Sequence, residues 1–235
     1  MKKILLAACI VFGFQSVSAQ TYTDAKSLLQ ATHEKEGGTK CADLKTIKME
    51  GTMVILGTQI GDLDGTLTQM EKYPGYRVID QSIATPMGPM TIKNVFTPEK
   101  AWTDNSMGGR QEMPKQEVTS ACEEQELLAK ADSTYKVSET TFEEKAVYAL
   151  AYTKEEAQIV RYYDKTTLQL IASASKKDEG EATRYITEWA NLNGVVIGKA
   201  FTVKQSAGGQ ELTVKVAYTT MEPNATLPDD AFSDN

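Results

Sequence analysis

The stretch Glu211-Leu-Thr-Val-Lys-Val-Ala-Tyr-Thr-Thr220 decides the fold class of this chain. Its apolar residues, Leu212, Val214, Val216 and Tyr218, alternate with Thr213, Lys215 and Ala217. Since alternate side chains of a β-strand point to opposite faces, one face of this strand is predicted to be buried and the other to face water.

The same alternation recurs throughout residues 135–221, with charged or glycine-containing turns between short segments. We therefore predict an antiparallel meander here. Its strands are expected at 136–142, 147–152, 158–164, 168–175, 182–192, 199–206 and 211–220.

Upstream, a long strand is predicted at 44–56, with Ile47, Met49 and Met53 on one face and a bend or bulge at Gly51. Further strands are expected at about 65–73, 76–84, 91–97 and 101–103. Residues 85–89 (Thr-Pro-Met-Gly-Pro) are expected to be a loop. About eleven strands in all predict a mainly β, α+β fold, a curved antiparallel half-open barrel with helices covering its concave face.

Two stretches have helical periodicity instead. One begins at Asp24, a candidate N-cap, buries Ala25, Leu28, Leu29 and Thr32, and ends at Gly37-Gly38. The second is predicted from Pro114 to Ala131, and it is the candidate lid. Its apolar side holds Val118, Ala121, Cys122, Gln125, Leu128 and Ala129, whereas Glu117, Glu123, Glu124, Glu126 and Lys130 are expected to be solvated.

The N-terminus is typical of a secretory signal peptide. Lys2 and Lys3 precede an apolar run at 4–14 that is too short to span a bilayer, and Val17-Ser18-Ala19 is a small-residue cleavage site. A competing interpretation takes Leu6-Ala7-Ala8-Cys9 as a lipoprotein box with Cys9 acylated. We predict cleavage after Ala19, which leaves residues 20–235 as a single domain.

Charge and hydropathy limit the class of partner. The formal net charge of −7 becomes −9 once the two leader lysines are removed, and such an acidic protein is repelled by phosphate backbones. Nucleic acid is therefore not expected as a partner. With 41% hydrophobic residues and no second long apolar run, the processed protein is expected to be exported and not membrane-spanning.

Cys41 and Cys122 remain after processing. In an oxidising compartment they could form a disulfide, or they could be two buried thiols, and their spacing does not decide between the two.

Residue types for catalysis are scarce. His33 is the single histidine, so histidine triads and multi-histidine metal sites are excluded by number. The chain has neither a Gly-x-Ser-x-Gly elbow nor a phosphate loop. No catalytic residue, metal ligand or cofactor is predicted, and the protein is not expected to be an enzyme.

Large apolar and aromatic residues carry more information. A ligand with acyl chains would suit a wall of methionine and aromatic side chains at strand positions. The predicted cavity residues are Met49, Met53, Met70, Tyr76, Val78, Trp102, Leu128, Leu150, Tyr152, Tyr163, Tyr185, Trp189 and Phe201. The alternative is a packed core that the helices fill.

The order of these segments resembles the outer-membrane lipoprotein-sorting-like proteins, relatives of the periplasmic lipoprotein carrier (LolA/LolB-like). The matching pieces are Glu36-Gly37-Gly38, Ile47-Lys48-Met49-Glu50-Gly51, an early Trp102, the segment 161–168 (Arg-Tyr-Tyr-Asp-Lys-Thr-Thr-Leu) and the ending 227–232 (Leu-Pro-Asp-Asp-Ala-Phe). The resemblance implies a half-open barrel whose helices cover an apolar concavity that accepts acyl chains in the carriers.

These observations together predict a periplasmic protein that binds a hydrophobic or lipidated ligand, with lipid or an acylated lipoprotein as partner. The alternative is an envelope scaffold or sensor that binds a protein partner and has a filled core.

Overall fold

The structure is a computed structural model that describes residues 21–115, 122–178 and 180–233. The predicted signal peptide and Cys9 lie outside this described part, as do Glu117, Val118 and Ala121 of the predicted second helix. None of the described helices is long and apolar enough to cross a membrane.

The described residues form one antiparallel sheet of thirteen strands. The strands are β1 (Thr46–Leu56), β2 (Leu63–Lys72), β3 (Tyr76–Thr85), β4 (Gly88–Phe96), β5 (Ala101–Asn105), β6 (Gly109–Met113), β7 (Lys136–Phe142), β8 (Lys145–Lys154), β9 (Ala157–Asp164), β10 (Leu170–Lys177), β11 (Gly180–Leu192), β12 (Val195–Ala207) and β13 (Gln210–Pro223). Neighbouring strands follow the chain except where β1 pairs with β13, and the sheet has β6 at one end and β7 at the other. The mainly β, antiparallel prediction is confirmed, and the sheet is open.

The sheet curves strongly. β3 and β9 are seven positions apart in the strand order, which would separate them by about 34 Å in a flat sheet. Arg77 of β3 and Arg161 of β9 nevertheless line the same cavity. We call the face that lines this cavity the inner face and the opposite one the outer face.

Three strand predictions need correction. Thr85 pairs with Gly88, so the predicted loop at 85–89 is a tight turn of two residues. The β6 strand was missed because its residues are mostly exposed and lack apolar alternation, as suits an edge strand. The expected number of about eleven strands is accordingly too low.

The predicted irregularity at Gly51 is confirmed, although the extra residue lies on the partner strand. Glu50 pairs with Thr220 and Gly51 with Tyr218, so Thr219 of β13 is left over. A side chain at position 51 would collide with the Ala217 carbonyl oxygen. Glycine is therefore required where the two strands approach each other at this bulge.

Helix α1 (Ala25–Glu36) agrees with its prediction. The Asp24 carboxylate accepts a hydrogen bond from the Ser27 amide at 2.9 Å, and Gly37 ends the helix. The four predicted apolar-face residues are all buried. Leu28 and Leu29 pack with Leu150 and Tyr163, so α1 lies on the inner face of the sheet.

Helix α2 (Glu123–Lys130) is shorter than predicted. Pro114, Lys115 and Cys122 are not helical. A short 3-10 helix (Gly38–Asp43) follows α1, and its Cys41 is disulfide-bonded to Cys122 with the two Cα atoms 6.0 Å apart. The disulfide joins the end of one helical segment to the residue just before α2, and thereby fixes where α2 begins.

Candidate functional site

A cavity of about 310 Å³ lies on the inner face beside α2. Its walls come from strands β1 to β3 on one side, from β9 to β13 on the other, and from the helix ends. Among the described residues that line it, seven are charged: Glu36, Glu71, Glu123, Glu124, Arg77, Arg161 and Arg184. The apolar lining residues include Ile47, Met49, Ile79, Leu170, Ile186, Trp189, Val196, Ile197 and Phe201.

One polar network surrounds Glu71, which is 4% exposed. Arg77 donates from Nε to the Glu71 carboxylate at 2.5 Å, and Gln69 donates to it at 2.6 Å. The Tyr73 hydroxyl donates to the other oxygen of Glu71, and the Tyr218 hydroxyl donates to Gln69 at 2.6 Å. The buried carboxylate is therefore fully paired, as a charge in such surroundings must be.

A second network surrounds Arg161, whose side chain is 7% exposed. Its Nη2 donates to Glu124 at 2.6 Å and its Nη1 to Glu123 at 2.8 Å. Its Nε donates to the Tyr163 hydroxyl at 3.0 Å, and that hydroxyl in turn donates to Glu124 at 3.1 Å. These bonds tie the start of α2 to strand β9.

Glu36, the last residue of α1, faces Glu124 of α2. Burial and then the charge of Glu124 raise the pKa of Glu36 well above its ordinary value. Burial would also raise the pKa of Glu124, but Arg161 and a hydrogen bond with Glu36 lower it. Among the described residues, no other group donates to the buried Oε2 atoms of these two carboxyls, so one proton held by Glu36 and shared with Glu124 would satisfy the pair.

Glu123 differs from Glu124 because its side chain remains 41% exposed, facing the cavity. Burial opposes ionisation, but the positive charges of Arg161, Arg184 and Arg77 outweigh it and lower the pKa of Glu123 to about 2. The Glu123 carboxylate is therefore ionised at neutral pH amid three guanidinium groups.

Two further spaces adjoin the cavity, one of about 250 Å³ along β10 to β12 and one of about 430 Å³ between α2 and β8 to β9. Glu123 and Arg161 line all three spaces. The concave side of the protein thus contains three adjacent spaces that share a charged centre and have apolar walls.

The predicted cavity residues divide into three groups. Met49, Trp189 and Phe201 line the cavity, and Tyr152 lines the space between α2 and β9. Met53 lies on the same face in the buried apolar cluster of β1, β2 and β13. Whether these five bind a ligand remains a prediction.

A second group lies on the inner face where α1 fills the space. Leu150 and Tyr163 have no exposed surface because they pack under α1. Leu128 is partly buried against the same cluster. Here the interior is a packed core, as the alternative to a cavity predicted.

The remaining five predicted cavity residues, Met70, Tyr76, Val78, Trp102 and Tyr185, lie on the outer face, away from this cavity. Val78 lies between Arg77 and Ile79, which both line the cavity, and it packs with Val95 and Trp102. Met70 and Phe232 pack against that cluster. The ring centroids of Phe232 and Tyr76 are 5.5 Å apart. Tyr185 stacks with Phe142 on the outer face.

The sequence prediction also missed the charged centre. Glu124 was expected to be solvated, yet it is 1% exposed because it packs against Arg161 and Tyr163 of β9. One signal was present: Arg161 lies two residues from both Ile159 and Tyr163, on the apolar side of its strand. An arginine at such a position requires a buried acidic partner.

Among the described residues, no group of three or more histidine, cysteine, aspartate or glutamate side chains is arranged to hold a metal ion. The carboxylates here are paired with arginines instead. Chemically, the arrangement can hold the polar part of a ligand at the charged centre and its apolar part along the walls.

No family model matches the chain, and no curated protein matches it. Solved structures do. A DUF1329 family protein from Desulfovibrio piger is 9% identical with a TM-score of 0.59, and the match covers 91% of this chain and 98% of that one. For a LolA superfamily protein from Nitrosomonas europaea the identity is 10%, the TM-score 0.58 and the coverage 90% and 98%.

A domain from Vibrio parahaemolyticus named for outer membrane lipoprotein sorting is 10% identical, with a TM-score of 0.54 and coverage of 88% and 95%. At such low sequence identity, the matches show a similar backbone over nearly the whole chain and say nothing about the residues of the site. The order of helices and strands in this chain, its curved open sheet and these three matches agree that it has a LolA-like fold.

Proposed function

We propose that this protein is an exported binding or carrier protein for a hydrophobic or lipidated ligand, held between the inner face of the sheet and the helices. The observation that carries the proposal is the group of adjacent spaces on that face, with apolar walls of Ile186, Trp189 and Phe201 beside a charged centre. Burying an alkyl chain there contributes about 0.8 kcal/mol per methylene.

The names of two similar structures support a role in lipid or lipoprotein binding: one is named for outer membrane lipoprotein sorting and the other for the LolA superfamily. We infer from the resemblance that lipid or an acylated lipoprotein is the ligand. We infer binding rather than catalysis because the carboxylates of Glu71, Glu123 and Glu124 are paired with arginines.

Export is part of the proposal. The disulfide between Cys41 and Cys122 suits an oxidising compartment such as the periplasm. Residues 1–19 would be removed as a signal peptide, and acylation at Cys9 is the alternative fate of the same segment.

We further propose that α2 is the movable cover. Leu127 and Leu128 are only partly buried where they contact the core under α1. The ion pairs with Arg161 hold the first turn of the helix. The start of this eight-residue helix is held by those ion pairs and by the disulfide at Cys122, so the movement we propose is a swing of its partly buried C-terminal part, which costs less than displacing α1 with its fully buried apolar face.

The test is native mass spectrometry with lipid extraction on processed protein purified without detergent. We expect an amphiphile to co-purify with the wild type and to be lost in Gly198→Leu. Gly198 lines the cavity and a Cβ there meets nothing closer than 3.4 Å, so the leucine should fill the space without disturbing the fold.

Thr202→Leu is the matched control. Thr202 lies on the same strand, between the inner-face residues Phe201 and Val203, and therefore points to the outer face. This variant should retain the ligand. A wild type that carries no ligand, even after incubation with phospholipid and lipopeptide, would contradict the proposal.

That result would favour the envelope sensor or scaffold. The observation on its side is the filled region under α1, where Leu28, Leu29, Leu150 and Tyr163 have no exposed surface. Its expected readout is a protein partner that is captured by wild type and Gly198→Leu alike.

A further inference from the structure

The Glu123 carboxylate occupies an unusual position for a helix residue. It lines all three inner spaces, it is 2.8 Å from Nη1 of Arg161, and its side chain is partly open to the cavity. Glu124, its neighbour, is completely enclosed and already satisfies the same guanidinium through Nη2 at 2.6 Å. Arg161 would therefore keep a carboxylate partner if Glu123 left.

The other two guanidiniums do not depend on Glu123 either. Arg77 is bonded to the buried Glu71 at 2.5 Å. The Arg184 guanidinium lies over the ring of Phe201, 4.4 Å from the ring centroid. Arg184 lines two of the spaces, where a ligand could contact it. Within the described ranges Arg184 has no carboxylate at ion-pair distance.

A charge count shows what Glu123 contributes. Arg77, Arg161 and Arg184 carry three positive charges, and the ion pairs with Glu71 and Glu124 offset two of them. Glu123 neutralises the third. With its side chain turned away, the centre of the cavity has one positive charge without a counter-ion, in surroundings where such a charge strongly attracts an anion.

We propose that Glu123 occupies the position of the ligand's own anionic group, and that the site selects amphiphiles with a carboxylate or phosphate headgroup, which displaces Glu123 and binds Arg161 and Arg184. This inference rests on the proposed function and names its ligand class. Glu123 is the first residue of α2, so its side chain can rotate away without breaking the helix.

The walls beside this centre suit the rest of such a molecule. Ile186 lines both spaces that Arg184 lines, and Trp189 and Phe201 extend the apolar surface from it. A headgroup at Arg184 therefore places the first methylenes of its chain on apolar side chains. A neutral amphiphile gains the same chain contacts but cannot replace the Glu123 carboxylate.

The test uses calorimetric titration of the processed protein, below micelle concentrations, with probes that share one dodecyl chain. Dodecanoate and dodecyl phosphate are the anionic probes, dodecyl maltoside the neutral probe and dodecyltrimethylammonium the cationic probe. We expect both anionic probes to bind about tenfold tighter than the neutral probe. Whichever anionic probe binds more tightly indicates whether the natural ligand has a carboxylate, as in a fatty acid, or a phosphate headgroup.

Two variants give opposite expectations. Glu123→Gln keeps the side-chain shape but removes the competing charge, so the affinity for the anionic probes should rise about three- to tenfold while that for the neutral probe stays unchanged. Arg184→Gln should lower the affinity for the anionic probes about tenfold. Lys204→Gln is the control, because it removes a positive charge on the outer face beside Tyr185 and should change nothing.

Unchanged or weaker anion binding in Glu123→Gln would overturn the inference, as would tightest binding of the cationic probe. Equal affinities for all probes would overturn the inference and leave the proposed function standing. If no probe binds the wild type, the inference and the proposed function both fail. Circular dichroism of each variant shows that the fold is retained.

Discussion

At the scale of single residues, the protein places a charged centre inside a mainly apolar concavity. Burying charges costs free energy that only close pairing recovers. Arg161 achieves this pairing through three side-chain partners, and Glu71 through three donors. The consequence is that removing the central charge of either network, Arg161 or Glu71, leaves a buried partner of opposite charge without its ion pair.

Arg161→Met tests that dependence. Glu124, which is 1% exposed, would lose its charged partner, and we expect the free energy of unfolding to fall by about 3–5 kcal/mol. Denaturant titration measures it. Lys165→Met, which breaks the more exposed pair with Glu139, should cost much less, and an equal loss in both variants would show that burial of the pair is unimportant.

Glu36→Gln tests the shared proton. Because the pKa of Glu36 is raised in the folded state, the folded protein binds a proton that the unfolded chain releases above about pH 4.5. Stability therefore falls as pH rises through this window, by at most about 1.4 kcal/mol per pH unit.

The glutamine side chain of this variant cannot ionise, so the variant should lack that slope and be more stable than wild type at neutral pH. Unfolding titrations between pH 4 and 8 measure both. Glu34→Gln changes an exposed carboxyl two residues earlier in the chain and should keep the wild-type slope. A parallel slope in wild type and Glu36→Gln would refute the assignment of the proton.

At the scale of elements, the first turn of α2 is fixed from two directions. The ion pairs hold it to β9, and the disulfide holds Cys122 to the 3-10 helix after α1. Cys41 and Cys122 pack with Leu44 and Val195 in a small buried cluster. The position of Glu123 in the cavity is thus set by covalent and ionic constraints more than by apolar packing of the helix.

The Cys41→Ser/Cys122→Ser double variant should lose about 2–4 kcal/mol of stability, because the disulfide closes a loop between residues 81 positions apart in the sequence. Urea unfolding with and without reductant measures the loss. Reductant should weaken the wild type and leave the double variant unaffected, and a wild type indifferent to reductant would contradict a stabilising disulfide.

At the scale of the whole molecule, the two faces of the sheet have different surroundings at β2 to β5. The inner face of β2 and β3 lines the cavity, and the outer face of β2 to β5 is covered by the C-terminal segment through Phe232. That segment continues from β13 beside β1, where the Thr46 hydroxyl donates to the Ala225 carbonyl at 2.7 Å. The C-terminus therefore completes a second apolar layer.

Phe232→Ala should uncover Val78, Val95 and Trp102 and lower the free energy of unfolding by about 1–2 kcal/mol, since Phe232 is only partly buried. Ligand binding should be unchanged because the cluster is separated from the cavity by the sheet. Asp229→Ala, at an exposed position of the same segment, is the control. Loss of ligand in Phe232→Ala would show that the two faces are coupled.

The sequence by itself determined the elements. Helix α1 with its Asp24 cap, the meander from β7 to β13 and the irregularity opposite Gly51 all follow from local patterns, because side-chain periodicity, capping and turn chemistry are properties of neighbouring residues. The LolA-like fold could be recognised from the order of these elements. Strand β6 and the tight turn at 86–87 escaped because edge strands and turns have weak patterns.

Only the tertiary structure decided the site. Alternation shows which residues share a face. It does not show which face encloses the cavity when side chains are buried on both faces of the sheet. Met70 and Val78 were therefore assigned to the cavity, whereas Gln69 and Arg77 line it. The partnership of Glu124 with Arg161 joins residues 37 positions apart. Burial of a charge depends on what the fold brings opposite it, which no local pattern in the sequence specifies.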